Sequence, residues 1–152
     1  MKIEIVSEKF DPWQALVDYK RNELQNDSRI GASSVFLGTM RDFNDDAEVE
    51  SMELEHYPGM TEKYLEDIVN NAIKKYKLID GLVMHRVGVL EPTDPIVIVA
   101  TWSEHRDNAF NATRDIMESL KAEAPLWKKE STEKGFRWVE PSIDNQESSN
   151  EV

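Results

Sequence analysis

Polar and apolar residues alternate with a period of two in several short stretches of the chain, which is the pattern of half-buried strands. Lys2–Val6 alternates in this way, and Val49–His56 does so with an interruption that indicates a β-bulge. Further strands are predicted at Ile30–Met40, Leu82–Leu90, Ile96–Trp102, Leu126–Glu130 and Phe136–Val139. Of these, Ile96–Trp102 is almost wholly apolar and β-branched, so we expect it at the centre of a sheet.

Three other stretches carry apolar residues at spacings of three and four, which predicts amphipathic helices. The first is Phe10–Leu24, with Asp11 as its N-cap, and the clearest is Thr61–Tyr76. A third helix is predicted from Ser103, as its cap, to the residue before Pro125, because a residue that precedes proline is disfavoured in the helical region.

The order of these elements favours an α+β fold, because consecutive strands without a helix between them pair antiparallel. We predict a mixed, largely antiparallel sheet with two long helices and one shorter N-terminal helix. Residues 1–140 are expected to form a single domain. The polar segment 141–152 is expected to be a disordered tail, and Asp42–Glu48 an exposed, acidic, mobile loop.

The amino-acid composition argues against several kinds of site and partner. The 152 residues include no cysteine, which removes disulfides, thiolate metal sites and cysteine nucleophiles. Acidic residues exceed basic ones by 30 to 18, a net charge of −12 that argues against nucleic acid as a partner. The chain shows neither a signal peptide nor a run of about 18 apolar residues, so we expect a cytoplasmic protein without a membrane span.

Against this acidic background, the cations at the start of the third helix are candidates for chemistry. His105 and Arg106 fall in its first turn, where backbone amides and the helix dipole already favour an anion. The pair predicts a phosphate or carboxylate site. The alternative is a capped helix with solvated side chains.

The end of the same helix carries a second set of cations. Lys121 lies at the boundary of the buried face, and Lys128 and Lys129 follow the large ring of Trp127. A lysine that is desolvated or close to other cations has a lowered pKa and can act as a base or nucleophile. The alternative is a lysine that extends to solvent near the helix C-terminus.

Two weaker signals complete the candidates. Arg41 follows a strand at the start of the acidic loop and suits bidentate phosphate binding, although a surface arginine is the simpler interpretation. The three histidines, His56, His85 and His105, lack the spacing of a metal pair. We therefore expect no metal and no other cofactor.

Several segments together resemble the large, catalytic subunits of molybdopterin synthases, over about Gly31–Glu140. The segments that carry the resemblance are Leu54–Met60, His85–Gly88, Glu104–Arg106 with Ala109-Phe110, Lys121 with Ala124–Glu130, and Arg137–Val139. Two departures stand out. The turn Pro92–Pro95 lies where the family commonly has glycine and a non-proline residue, and Asp42–Glu48 is unusually acidic, which would affect substrate entry or partner docking.

The resemblance implies an α/β-hammerhead-like fold and a sulfurtransferase. Members of this family convert precursor Z, a cyclic pyranopterin monophosphate, into molybdopterin by installing a dithiolene. The sulfur arrives as a C-terminal thiocarboxylate on a small ubiquitin-like carrier subunit, and two large subunits form a homodimer within a heterotetramer. A chain without a thiol of its own agrees with sulfur that is brought by a partner.

The resemblance also assigns roles. The family's functional lysines fall on Lys121 and Lys128, and its substrate-binding residues on Arg41, His105 and Arg106. Arg137 is a further candidate, for the substrate pocket or for the carrier.

Two other functions stay open at this point. One is a phosphodiesterase or acyl-transfer enzyme that uses the same cations without sulfur. The other is a non-catalytic, dimeric adaptor whose basic groove holds another protein's C-terminus.

Overall fold

A computed structural model of the chain describes residues 1–44 and 47–139. Within them the chain forms three α-helices, α1 (Pro12–Tyr19), α2 (Met60–Tyr76) and α3 (Arg106–Glu123), and a π-helical turn, Lys20–Leu24, that follows α1. The strands of the described residues are β1 (Lys2–Val6), β2 (Ala32–Thr39), β3 (Phe43–Asn44), β4 (Ala47–His56), β5 (Asp80–Arg86), β6 (Gly88–Leu90), β7 (Pro95–Ser103), β8 (Leu126–Thr132) and β9 (Gly135–Val139). The α+β class is confirmed.

The first sheet has the strand order β1-β5-β7-β2. β1 runs parallel to β5 and the other pairs are antiparallel, so the sheet is mixed, and β7 is an internal strand as predicted. Helices α2 and α3 cover one face, through a core that includes Leu65, Val69, Val83, Val99, Ala112 and Ile116. Helix α1 and the π-helical turn cover the other face, where Tyr19 stacks on Trp102.

The second sheet is antiparallel, with the order β3-β4-β8-β9 and with β6 paired to β4. The predicted mixed, largely antiparallel strand pairing is confirmed, and the strands are divided between two sheets. The predicted strand Leu82–Leu90 divides at Val87, because Gly88 takes a positive φ of 93° that redirects the chain from the first sheet to the second. The β-bulge in β4 is confirmed between Val49 and Ser51.

Of the two predicted N-caps, one is confirmed and the other is wrong. Asp11 caps α1 as expected, since its carboxylate accepts from the backbone N–H groups of Trp13 and Gln14. Ser103 does not cap α3. It is the buried last residue of β7, its hydroxyl donates to the carbonyl of His105, and α3 begins only at Arg106.

The acidic segment Asp42–Glu48 was predicted as a loop, but its described part belongs to the hairpin of β3 and β4. Positions 45–46 and the predicted tail 141–152 lie outside the described residues. No helix among the described residues is long and apolar enough to cross a membrane.

Candidate functional site

The second sheet separates its side chains cleanly between two faces. On β8, Lys128 and Glu130 point to the inner face, towards the core of Met52, Leu54 and Leu90. Lys128 pairs with Leu54 of β4 on one side and Val139 of β9 on the other. It is half-buried, so the pleat of β8 places an ammonium group at the edge of an apolar core.

Burial lowers the pKa of Lys128, and the positive charges of Lys121 and Arg41 lower it further, while the carboxylate of Glu130 opposes them. Lys121 lies exposed in the last turn of α3, and Arg41 follows the end of β2 by two residues. Two of the predicted cations therefore act electrostatically on the third. The structure groups Lys121, Lys128 and Arg41 near the C-terminal end of α3, and the surface around these three cations is called the cleft below.

Hydrogen bonds fix the chain on both sides of Lys121 and Lys128. The backbone N–H of Ala124 donates to the carbonyl of Leu120 and closes α3. The buried hydroxyl of Thr61, at the start of α2, donates to the carbonyl of Pro125 over 2.9 Å and accepts from the N–H of Tyr57. Because the turn between α3 and β8 is tied to a second helix, the relative position of the two lysines is set by the fold.

Arg41 is held by the turn that departs from the family pattern. The N–H of Met40 donates to the carbonyl of Asp94, and the N–H of Thr93 donates to the carbonyl of Met40, both over 2.9 Å. The carboxylate of Asp94 accepts from the N–H of Glu91 and pairs with Lys9 at 3.1 Å. These bonds lower the pKa of Asp94 and anchor the residue that precedes Arg41.

Arg137 has a partner within the second sheet. Its Nε and one terminal nitrogen donate to the same oxygen of Glu130, at 3.0 and 2.9 Å, across the β8–β9 pair. Glu130 is buried, so this cation compensates a carboxylate that would otherwise be costly to bury. Arg137 is therefore close to Lys128, but the contact that the structure shows is to Glu130.

His105 and Arg106 are not near the lysines of the same chain. Both are exposed at the start of α3, and Lys121 follows Arg106 by fifteen residues of continuous helix. At 1.5 Å per residue, the two ends are about 22 Å apart. The structure therefore divides the six predicted residues between a cleft at the C-terminal end of α3 and an exposed pair at its N-terminal end.

Two residues of the cleft were not among the predicted functional residues. Glu130 closes the resemblance segment Ala124–Glu130, which was the available signal, but no role was assigned to it. His85, the penultimate residue of β5, is buried and feels the charge of Lys128. Its only signal was its position in His85–Gly88.

The cleft suits an anionic substrate, since clustered cations stabilise negative charge that develops where water is partly excluded. Its desolvated lysine suits proton transfer, because a lowered pKa increases the neutral fraction. Among residues 1–44 and 47–139, no three histidine or carboxylate side chains are grouped as metal ligands would be.

Comparison with known proteins gives matches over most of the chain. The family model described as MoaE protein matches residues 5–123. A molybdopterin synthase catalytic subunit from Ralstonia nicotianae is 55% identical over 118 residues, which are 78% of this chain and 67% of that protein. One from Pseudomonas aeruginosa is 46% identical over 147 residues, 96% of this chain and 95% of that protein. The solved structure of a molybdopterin biosynthesis MoaE protein from Burkholderia ambifaria has a TM-score of 0.77 and 44% identity, and the match covers 95% of this chain and 92% of that one.

Proposed function

This chain belongs to the MoaE protein family, and on that premise we propose that it is the catalytic subunit of a molybdopterin synthase. It transfers two sulfurs from the C-terminal thiocarboxylate of a small ubiquitin-like carrier subunit to precursor Z and so forms the dithiolene of molybdopterin. The observation that carries the proposal is the half-buried Lys128, desolvated and set beside Lys121 and Arg41. The chain has no cysteine, so the carrier supplies the sulfur.

Lys121 and Lys128 have different roles in the proposed reaction. Lys121 is exposed at the mouth of the cleft and acts as the general acid–base or the transient nucleophile. Lys128 lies deeper and orients the carrier's C-terminus, and its charge contributes to the lowered pKa of His85. Both lie on elements fixed through Thr61, so their separation is preserved as substrates enter.

The phosphate site is composed from two copies of the chain. Arg41 is in the cleft, whereas His105 and Arg106 of the same copy lie at the far end of α3, about 22 Å from Lys121. A homodimer that sets the N-terminal end of one α3 against the cleft of the other copy brings the three cations together. Exposed amides at that helix end add to the attraction for phosphate.

Arg137 acts indirectly in this proposal. Its pairing with Glu130 holds a buried carboxylate two residues from Lys128 and so stabilises the inner face of the second sheet. We also propose that the protein acts in the cytoplasm as a single domain over residues 1–140, in a heterotetramer of two such chains and two carriers.

The first experiment replaces Lys121 by alanine. Wild type is mixed with thiocarboxylated carrier and precursor Z, and molybdopterin is measured as its fluorescent oxidation product. Loss of a proton-transfer group is expected to lower turnover by about 10²–10⁴-fold while the protein stays folded. Arg114→Ala is the matched control, because Arg114 is exposed on α3 and pairs only locally with Glu118.

Near-normal turnover of Lys121→Ala would contradict the role of Lys121. No product from wild type, with a carrier competent on another synthase, would contradict the function itself and favour the adaptor. Hydrolysis of cyclic phosphates without carrier would favour the phosphodiesterase.

The shared phosphate site predicts complementation between defective subunits. Arg106→Ala removes a charge-assisted hydrogen bond worth about 1.5–3 kcal/mol, so calorimetry should show precursor binding weakened roughly tenfold to a hundredfold. Mixed dimers of Arg106→Ala and Lys128→Ala chains should regain activity, because one of their two clefts then has both residues. If each cleft used its own Arg106, mixed dimers would be as inactive as the parents.

A further inference from the structure

His85 occupies a buried position near the end of β5 in the first sheet. It is 5% exposed and lies on the same face of β5 as Val83, the face that α2 and α3 cover. Its neighbours across the sheet are Ile5 of β1 and Val97 of β7, both apolar. An imidazole has two polar nitrogens, so burial there requires a partner for each or a reason for its absence.

The hydrogen bond of one nitrogen fixes the tautomer. Nδ1 of His85 lies 2.8 Å from the carbonyl oxygen of Arg86, and because a carbonyl can only accept, Nδ1 carries the hydrogen. Burial, with the charge of Lys128 as a smaller contribution, lowers the pKa of His85 to about 4, so the ring is neutral. Nε2 therefore has a lone pair; the described residues show no hydrogen bond to it, and it is not one of their fully buried unpaired atoms, which are Nη1 of Arg86 and Nε1 of Trp102.

The surroundings of that lone pair are cationic. Leu54 of β4 pairs with Gly88 of β6 on one side and with Lys128 of β8 on the other. Lys128 is therefore two strand spacings, about 10 Å, from Gly88, which follows His85 by three residues. Lys128 is the ionised side chain whose charge acts on His85, and Lys121 and Arg41 act in turn on Lys128. The carboxylate of Glu130 pairs with Arg137 and also acts on Lys128.

We propose that His85 is a positioning residue for Lys128, whose Nζ donates a hydrogen bond to the imidazole Nε2 when the cleft is occupied. The bond draws Nζ to a defined point beside Lys121, and a neutral acceptor does this without adding negative charge to a site that binds an anion. This role rests on the proposed function of the cleft. It assigns a function to the lone pair of Nε2 at the end of an internal strand.

Two substitutions separate the two nitrogens of the ring. The amide of asparagine in His85→Asn can still donate to the carbonyl of Arg86 but does not reach the position of Nε2, whereas glutamine in His85→Gln can place an acceptor oxygen there. In the molybdopterin assay, His85→Asn should lower kcat about 10–100-fold, as misplacement of a reacting group does, with the KM values for precursor and carrier unchanged. His85→Gln should recover most of kcat.

Thermal unfolding of both variants is measured alongside the kinetics. Wild-type kcat in His85→Asn would overturn the proposal. Equal losses in the two variants at equal stability would also overturn it, because the acceptor at Nε2 would then be irrelevant.

A second measurement does not depend on turnover. In ¹⁵N-labelled protein, the imidazole signals of His85 should show hydrogen on Nδ1, and Lys128→Met should raise the pKa of His85. Lys129→Met is the control, since Lys129 lies on the opposite face of β8, and it should leave the titration unchanged. A His85 pKa that is the same in Lys128→Met as in wild type would overturn the proposal even if every kinetic variant failed to fold. If wild type makes no molybdopterin but this coupling is present, the proposed function fails while the proximity of Lys128 to His85 stands.

Discussion

Two adjacent lysines of β8, Lys128 and Lys129, lie on opposite faces of the second sheet and have different surroundings. On the inner face, Lys128 lies half-buried beside Leu54 and the buried Glu130, which pairs with the partly exposed Arg137. On the outer face, Lys129 rests over aromatic rings, with Nζ 4.8 Å from the centre of the Phe136 ring and 5.7 Å from that of Trp138. Two consecutive residues of one strand are therefore a candidate catalytic group and a surface contact.

The difference shows that the surroundings of a lysine, and not its residue type, give it its chemistry in this protein, since Lys128 and Lys129 are both half-buried. Lys128 loses hydration and meets two other cations, so its pKa falls. Lys129 instead faces exposed rings, and Phe136 and Trp138 are 74% and 57% exposed. An aromatic face of this kind can stabilise a cation modestly without removing it from water.

Replacing each lysine by methionine tests this comparison most strongly. Lys128→Met should lower kcat by about 10²-fold or more, because it removes a positioned cation from the cleft. Lys129→Met should stay close to wild type and lose only a cation–π contact of about 0.5–1 kcal/mol. Molybdopterin formation at saturating substrates measures the first effect, and urea unfolding the second.

Lys128→Met should lower the activity but raise the free energy of unfolding, and this gain in stability should depend on pH. The pKa of Lys128 is lower in the folded protein than in the unfolded chain. Below the ordinary lysine pKa, the unfolded chain therefore holds the proton of Lys128 more tightly, and this difference in proton binding lowers the free energy of unfolding. Wild-type stability should rise as pH increases from the lowered pKa to the ordinary one, and Lys128→Met should lack that rise. Equal activity losses in the two methionine variants would contradict the distinction between the faces.

The sequence alone could predict most of the elements, because their signals are local. Period-two alternation located β4 and its bulge, and spacings of three and four located α2. The division at Gly88 was missed because Leu82–Leu90 contains no proline or other turn signal apart from this glycine, and the positive φ of Gly88 cannot be read from the sequence. Ser103 was misplaced as a cap because it has a capping side chain, but pairing with Ala32 keeps it in β7.

The candidate site was predictable only as far as composition and resemblance reach. Lys121 and Lys128 could be named, but their shared cleft depends on how α3 turns into β8 at Pro125, a tertiary feature held by Thr61. The separation of Arg106 from Lys121 follows from helix length and was available from the sequence. His85 was not, since its role depends on which face of β5 the pleat buries.

The smallest expected effect concerns the buried carboxylate that supports the inner face. In Glu130→Gln, Arg137 keeps one neutral acceptor in place of a charged one, which should lower the free energy of unfolding by about 1–2 kcal/mol. Loss of that negative charge should also lower the pKa of Lys128 further, since Glu130 raises it. Glu53→Gln is the control, because Glu53 lies exposed on β4 opposite Lys129 and surface changes stay within about 0.5 kcal/mol. Urea unfolding compares the two, and equal stabilities would mean that the inner face owes nothing to the charge of Glu130.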